Sequence, residues 1–232
     1  MLFSLTISIV VLNLSLGFPI LIQSRKDIGA KVFFLTTVVF SILTYVNYQS
    51  LTVAPVESLF WIRAVMFFAA LHVFLYFVFV HSFSRDKEKW FTLNKRTFFS
   101  IMSLLSILWI TISPFLFQGV HVSEKGRTEV IPGTLLPVFA LWLIGILLVS
   151  IHKVWKMYTV STGNEKEQWK YLLVGTSITY STLILFNFVL SSFFNNSFFV
   201  QFTPLFSLPV VVAVAYAVVR HNLFSIKINQ LF

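Results

Sequence analysis

Leu135 to Ile151 reads LLPVFALWLIGILLVSI. Seventeen residues pass without a charge, and the only polar side chain, Ser150, stands one place from the end. A surface helix of a soluble protein keeps one polar face, and a half-buried strand alternates polar and apolar residues. This stretch does neither; it is apolar on every side. Backbone amides can enter lipid only in a helix or a closed barrel, and barrel strands alternate. The stretch therefore reads as a helix that crosses a bilayer.

Similar runs appear in both directions along the chain. Toward the N-terminus they cover about Leu2–Ile22, Val32–Tyr48, Leu59–Val80 and Phe98–Phe117, and toward the C-terminus about Tyr171–Phe194 and Phe202–Val219. Each comes close to the roughly 20 residues that span a hydrocarbon core about 30 Å thick. Between them lie short polar links, such as Arg85–Arg96 and Glu124–Gly133. The sequence thus predicts an all-α polytopic membrane protein, one domain over residues 1–232, built as a bundle of about seven transmembrane helices. Short links make consecutive helices antiparallel neighbours. The composition agrees: 57% of residues are hydrophobic and 11% charged, where a soluble domain carries about 25% charged.

The net charge of +9 raises the question of nucleic acid, but the basic residues sit in the links between apolar runs, so none is expected. Placing the N-terminus outside leaves only Arg63, Lys125 and Arg127 on the outer side, and 14 of the 17 Lys and Arg on the inner. By the positive-inside rule the N-terminus is outside and the C-terminus, with an exit segment over 220–232, cytoplasmic. No Lys or Arg precedes Arg25, so the first helix lacks the basic region of a cleaved signal peptide and is expected to be retained. The expected location is the plasma membrane, crossed many times, with the lipid bilayer as first partner. Trp61, Trp90, Trp155 and Trp169 fall near run ends, where interfacial aromatics gather, whereas Trp109 and Trp142 lie deeper.

Several chemistries drop out. There is no cysteine, hence no thiol catalysis or Cys-ligated metal. No predicted span contains a Lys on which a retinal Schiff base could form. The five histidines share no short helical spacing, so no metal and no cofactor is expected. His81, His152 and His221 stand at predicted inner helix ends, as interfacial polar residues do. No Asp or Glu lies deep in a span, which counts against an ion-coupled transporter.

Ionisable and polar residues inside the spans remain as ligand-sensing candidates. Arg63 stands one turn into the third run. It either snorkels to water, or faces inward to bind an anionic ligand or to pair with Glu57. His72, nine residues on, reaches mid-membrane depth; it either hydrogen-bonds a neighbouring helix or senses protons. Asn187 lies seven residues after Tyr180 in the sixth run, which puts both on one helical face, as interhelical hydrogen bonding requires. In the tail, Phe224, Ile228 and Leu231 follow a four-three rhythm, while Phe224, Ile226 and Ile228 also alternate.

Three segments carry a resemblance. YAVVRHNLFSIKI (Tyr216–Ile228) resembles the end of the N-terminal seven-helix membrane region of histidine kinases: an apolar run with an aromatic, a basic pair and a Leu- and Ile-containing exit, here Arg220, His221, Leu223, Phe224 and Ile226. EKEQWKYLLVGTSI (Glu165–Ile178) is similar to the entry of that region's sixth helix, with Gln168 before an apolar run carrying Gly175. LFWIRAVMFFAALHVFLYFVFVHSF (Leu59–Phe83) is similar to its third helix, with Arg63 near the start and an aromatic-rich end. The resemblance implies a membrane sensory, signal-input domain that passes a signal through the seventh helix to a cytoplasmic output, with Arg220, His221, Leu223 and Phe224 as the exit segment. It also implies a two-component system in a bacterial plasma membrane, a homodimer by analogy, and a cytoplasmic kinase or other output domain, in cis or in trans. No phosphoacceptor H-E-x-R-x-P and no Gly-rich ATP lid occurs in the chain, so this polypeptide itself is not expected to be an enzyme. The alternatives are a small transporter or permease subunit, or a membrane scaffold protein.

Overall fold

A computed structural model describes residues 2–82, 95–122, 128–190 and 198–221, with the side chains of 23, 96, 128, 188, 189 and 218–221 left aside. The loop charges of 83–94 and the exit residues Leu223 and Phe224, with the rest of the tail, lie outside the described residues.

The chain runs α1 (Leu2–Gln23), α2 (Ile28–Thr52), α3 (Pro55–Ser82), α4 (Lys95–Ile112), a hairpin of β1 (Phe117–Val122) and β2 (Thr128–Pro132), α5 (Leu136–Val160), α6 (Gly163–Leu183), a π-helical turn Ile184–Val189, a 3-10 turn Phe198–Phe202, α7 (Thr203–Phe206) and α8 (Leu208–His221). The last two are one span broken at Ser207, so seven helical stretches follow one another as the apolar runs imply. Local chemistry sets their starts. Asp27 caps α2 by accepting the Ala30 N–H at 3.1 Å, Pro137 stands in the first turn of α5, and Gly163 opens α6 at φ +57°, where other residues are strained.

Among the described residues five helical segments are long and apolar enough to cross a membrane: Leu2–Ile22, Ile28–Thr52, Pro55–Ser82, Leu136–Val160 and Phe198–Ala217. The other two stretches depart from the sequence reading for separate reasons. α4 has 18 residues, about 27 Å at 1.5 Å per residue. It stops at Ile112 rather than Phe117 because Pro114 cannot continue a helix and the backbone turns into β1. α6 is long enough, but its first turns hold Asn164, Glu165, Lys166, Glu167 and Lys170. The helix begins eight residues before the apolar run does.

On either side of the link after the fourth run, β1 and β2 pair antiparallel as a hairpin, with Val120 opposite Val130 and His121 opposite Glu129. Its base is pulled into the bundle: Leu116 and Phe117 are buried among Ala70, Ile107, Ile110 and Phe139. Gly133 closes this base. Its N–H donates to the Leu116 carbonyl at 2.8 Å, and a Cβ there would overlap the Phe115 carbonyl.

α3 is the hub. It packs on α2, α4, α5 and the hairpin, while α6 packs on α5 and α8. The main core joins Phe33 of α2, Tyr76 and Phe79 of α3, Val154 of α5, Tyr180 of α6 and Val214 of α8. Close approach is allowed by small residues, as in other membrane bundles. A Cβ on Gly17 would meet the Thr37 side chain, and one on Gly175 would meet Ala213 and the Pro209 carbonyl. The outward surface is apolar, with Leu141 72% and Phe99 68% exposed; in water such a surface would aggregate, and in lipid it is the expected solvent-facing side. The long apolar helices and the apolar exterior make the chain a multi-pass protein of the plasma membrane.

Candidate functional site

Arg63 lies more than two turns into α3, because the helix starts at Pro55 and not at the apolar run. Its guanidinium turns to the hairpin and donates to the carbonyl of Phe117 at 2.6 Å. The bond goes to this backbone oxygen and not to Glu57. Nε of Arg63 is buried without a partner. The first residue of β1 is thus held to α3 by a charged donor, and charged hydrogen bonds are the stronger kind.

His72 is about 14 Å further along the same helix, nine residues at 1.5 Å each. Its side chain is buried. The ring packs against Phe40 with centroids 5.0 Å apart. The Thr36 backbone is near enough to act on it, yet no contact meets hydrogen-bond geometry, and both ring nitrogens are unpaired. Its polar contact with a neighbouring helix is thus a weak one, to the Thr36 backbone of α2. His72 also lines a cavity of about 30 Å³, together with Asn13, Thr36, Thr37, Tyr76 and Ser207. Asn13 is fully buried, and both atoms of its amide are also unpaired.

Asn187 falls within the π-helical turn. Its Oδ1 accepts the Thr203 hydroxyl at 3.1 Å, joining the end of the sixth stretch to α7. The seven-residue spacing to Tyr180 assumes α-helical winding throughout, and the π turn from Ile184 changes the phase between them. Tyr180 points into the core, its ring 5.2 Å from that of Tyr76 and its hydroxyl unpaired. So Arg63, His72 and Asn187 occupy three places: the hairpin base, the central cavity and the junction before the broken span. They share no pocket.

Residues outside the expected set tie these places together. Tyr76 of α3 and Thr176 of α6 hydrogen-bond through their hydroxyls. Thr179, fully buried, accepts the N–H of Val210 at 3.0 Å. The break at Ser207 frees amides that α7 cannot satisfy, and this hydroxyl supplies an acceptor from α6. Asn47 of α2 donates to the Val200 carbonyl at 3.3 Å. A mid-span amide such as Asn13, the one carboxamide of the first run, is a signal that sequence reading can use, as is the small polar stripe Thr37, Ser41 and Thr44 of α2. Its hydroxyls at Thr37 and Ser41 bond carbonyls of their own helix.

Among the aromatics, Trp169 is buried in the core rather than interfacial, and Trp142 donates to the Ser103 hydroxyl at 3.3 Å across α5 and α4. His81 bonds the Phe77 carbonyl at 2.8 Å within α3. Arg220 and His221 close α8. Among the described residues no group of three metal-ligating side chains comes together.

The model of the family described as the N-terminal 7TM region of histidine kinase matches residues 1–227. No curated protein and no solved structure matches the chain. The matched region is the membrane part of such kinases and not their catalytic part. With nearly the whole chain covered and a bundle of membrane helices beneath it, this protein belongs to the N-terminal seven-transmembrane region family of histidine kinases.

Proposed function

We propose that the chain is a sensory input module of a two-component system in a bacterial plasma membrane, with its N-terminus outside and its C-terminus in the cytoplasm. A signal changes helix packing, and the broken last span carries the change to a cytoplasmic kinase or other output. The observation that carries this reading is the seating of α8 on α6. Gly175 lets the two backbones close up, and the Val210 N–H, donating to the Thr179 hydroxyl of α6, holds the segment just past the break. A helix seated closely on its neighbour and starting at a break in its span is an element that can carry a shift in packing along the bundle, as signalling requires. The charge distribution supports the orientation. A homodimer, the arrangement suggested by analogy with histidine kinases, would present two such spans side by side.

The test joins residues 1–227 to a histidine-kinase output domain and measures autophosphorylation in membranes, for the parent, Gly175→Ala and Thr179→Val. Altered phosphorylation at unchanged protein level supports the reading. Identical phosphorylation in all three rejects it. The small interior cavity favours a second reading, a membrane scaffold without a ligand, and that identical outcome is the one a scaffold gives.

A further inference from the structure

The cavity against His72 has a wall from four elements. Asn13 comes from α1, Thr36 and Thr37 from α2, His72 and Tyr76 from α3, and Ser207 with the valines of α8 from the broken span. Most hydroxyls there already have acceptors for their protons. Thr36 donates to Val32, Thr37 to Phe34 and Ser207 to Pro204, all within their own segments, and Tyr76 is bonded to Thr176. Four polar atoms lack a partner of full hydrogen-bond geometry: Nδ2 and Oδ1 of Asn13 and both ring nitrogens of His72, whose ring has only a weak contact with the Thr36 backbone. Asn13 is wholly buried and His72 is 6% exposed, so neither can turn to bulk water or to headgroups. Buried groups of this kind are rarely left unpaired.

The size and chemistry of the cavity select what satisfies them. About 30 Å³ is enough for a water molecule and too small for an organic ligand. A neutral imidazole offers one donor and one acceptor, and a carboxamide two donors and an acceptor oxygen. Water matches both, accepting from one side chain while donating to the other. A cation would have one amide oxygen and one imidazole as its strong ligands, with no carboxylate lining the cavity to balance its charge; an anion would have no fixed positive charge there.

We propose that this cavity is a hydration site that holds one water molecule coordinated by Asn13 and His72. The water joins α1 to α3 through a polar contact, and α8 forms the apolar wall that closes it. The site stands whether or not the chain signals to a kinase, since it rests only on the packing of these helices.

The full chain in lipid nanodiscs, labelled with [15N]His, tests this by solid-state NMR. Magnetisation is transferred from water protons to the side-chain nitrogens, and His72 is assigned by the signal lost in His72→Phe, or in His72→Gln if the first does not fold. The expected result is transfer from water to His72 in the parent, reduced severalfold in Asn13→Ala. Absence of transfer to His72, while exposed His121 and His152 receive it, overturns the proposal. So does transfer that is unchanged in Asn13→Ala, or a direct Asn13–His72 coupling without water.

Discussion

Arg63 and His72 stand nine residues apart on α3, and the bundle treats them in opposite ways. The charged residue has a backbone partner: a donor from α3 meets the Phe117 carbonyl at the hairpin base. The other has no partner of full hydrogen-bond geometry, only the Thr36 backbone nearby, and Asn13 on the same cavity has none. A polar residue inside a membrane span is therefore not one kind of thing. Near the hairpin it fastens the first residue of β1, whose carbonyl cannot be left bare. In the middle of the bundle it creates a small polar space among apolar walls. The cost of removing each should differ accordingly, because stripping the partner from a buried carbonyl leaves that carbonyl unsatisfied, while replacing the His72 ring with an apolar one of similar shape removes no direct side-chain hydrogen bond.

The largest effect is expected at the hairpin base. Gly133→Val drives a branched side chain into the Phe115 carbonyl, and overpacking against backbone costs about 3 kcal/mol. Thermal unfolding in detergent should show the largest drop in Tm of the series, with the hairpin released from α3. Arg63→Met comes next, at about 2 kcal/mol for the lost charged hydrogen bond; His72→Phe should fall clearly below it. If His72→Phe proves the more damaging, the contrast between the two residues is wrong. Thr179→Val leaves the Val210 N–H without its acceptor and should cost about 1 kcal/mol, felt as faster amide exchange confined to the start of α8. His121→Ala sits at the bottom. It removes a contact with Glu129 at 3.2 Å in which both side chains are about half exposed, and even charged surface pairs contribute under about 1 kcal/mol. Its Tm should match the parent within error at high salt.

The long apolar spans were legible because lipid imposes one requirement along their whole length. α1, α2 and α3 begin and end close to their apolar runs, α5 begins with its run and continues to Val160, and Arg63 stands out as an ionisable residue among Phe and Leu. What the sequence concealed depends on tertiary partners. FQGVHV and TEVIP are too short and too polar to announce a hairpin, which is anchored by the buried Leu116 and Phe117, by Gly133 and by the Arg63 bond. The break at Ser207 follows Pro204 and precedes Pro209, yet proline is common in membrane helices and does not by itself mark an interruption. Its amide finds Thr179 only once α6 is packed alongside. The π turn could not be seen at all, and it undid the simple face-sharing of Tyr180 and Asn187. Arg63, His72 and Asn187 were found one by one, but their separation into three places is a property of the packing, as is the pairing of His72 with Asn13 around one cavity.

The two-residue link between α5 and α6, Ser161 and Thr162, bears on how the protein is made. α6 carries Thr176, Ser177, Thr179, Ser181 and Thr182 beside its charged first turns and is not among the helices apolar enough to cross a bilayer alone. α5 is. With no slack between them, the nascent chain cannot leave α6 waiting in water while α5 partitions into lipid. The two must enter as a helical hairpin, the apolar member carrying the polar one, and the insertion machinery meets this region as a pair rather than as two successive spans.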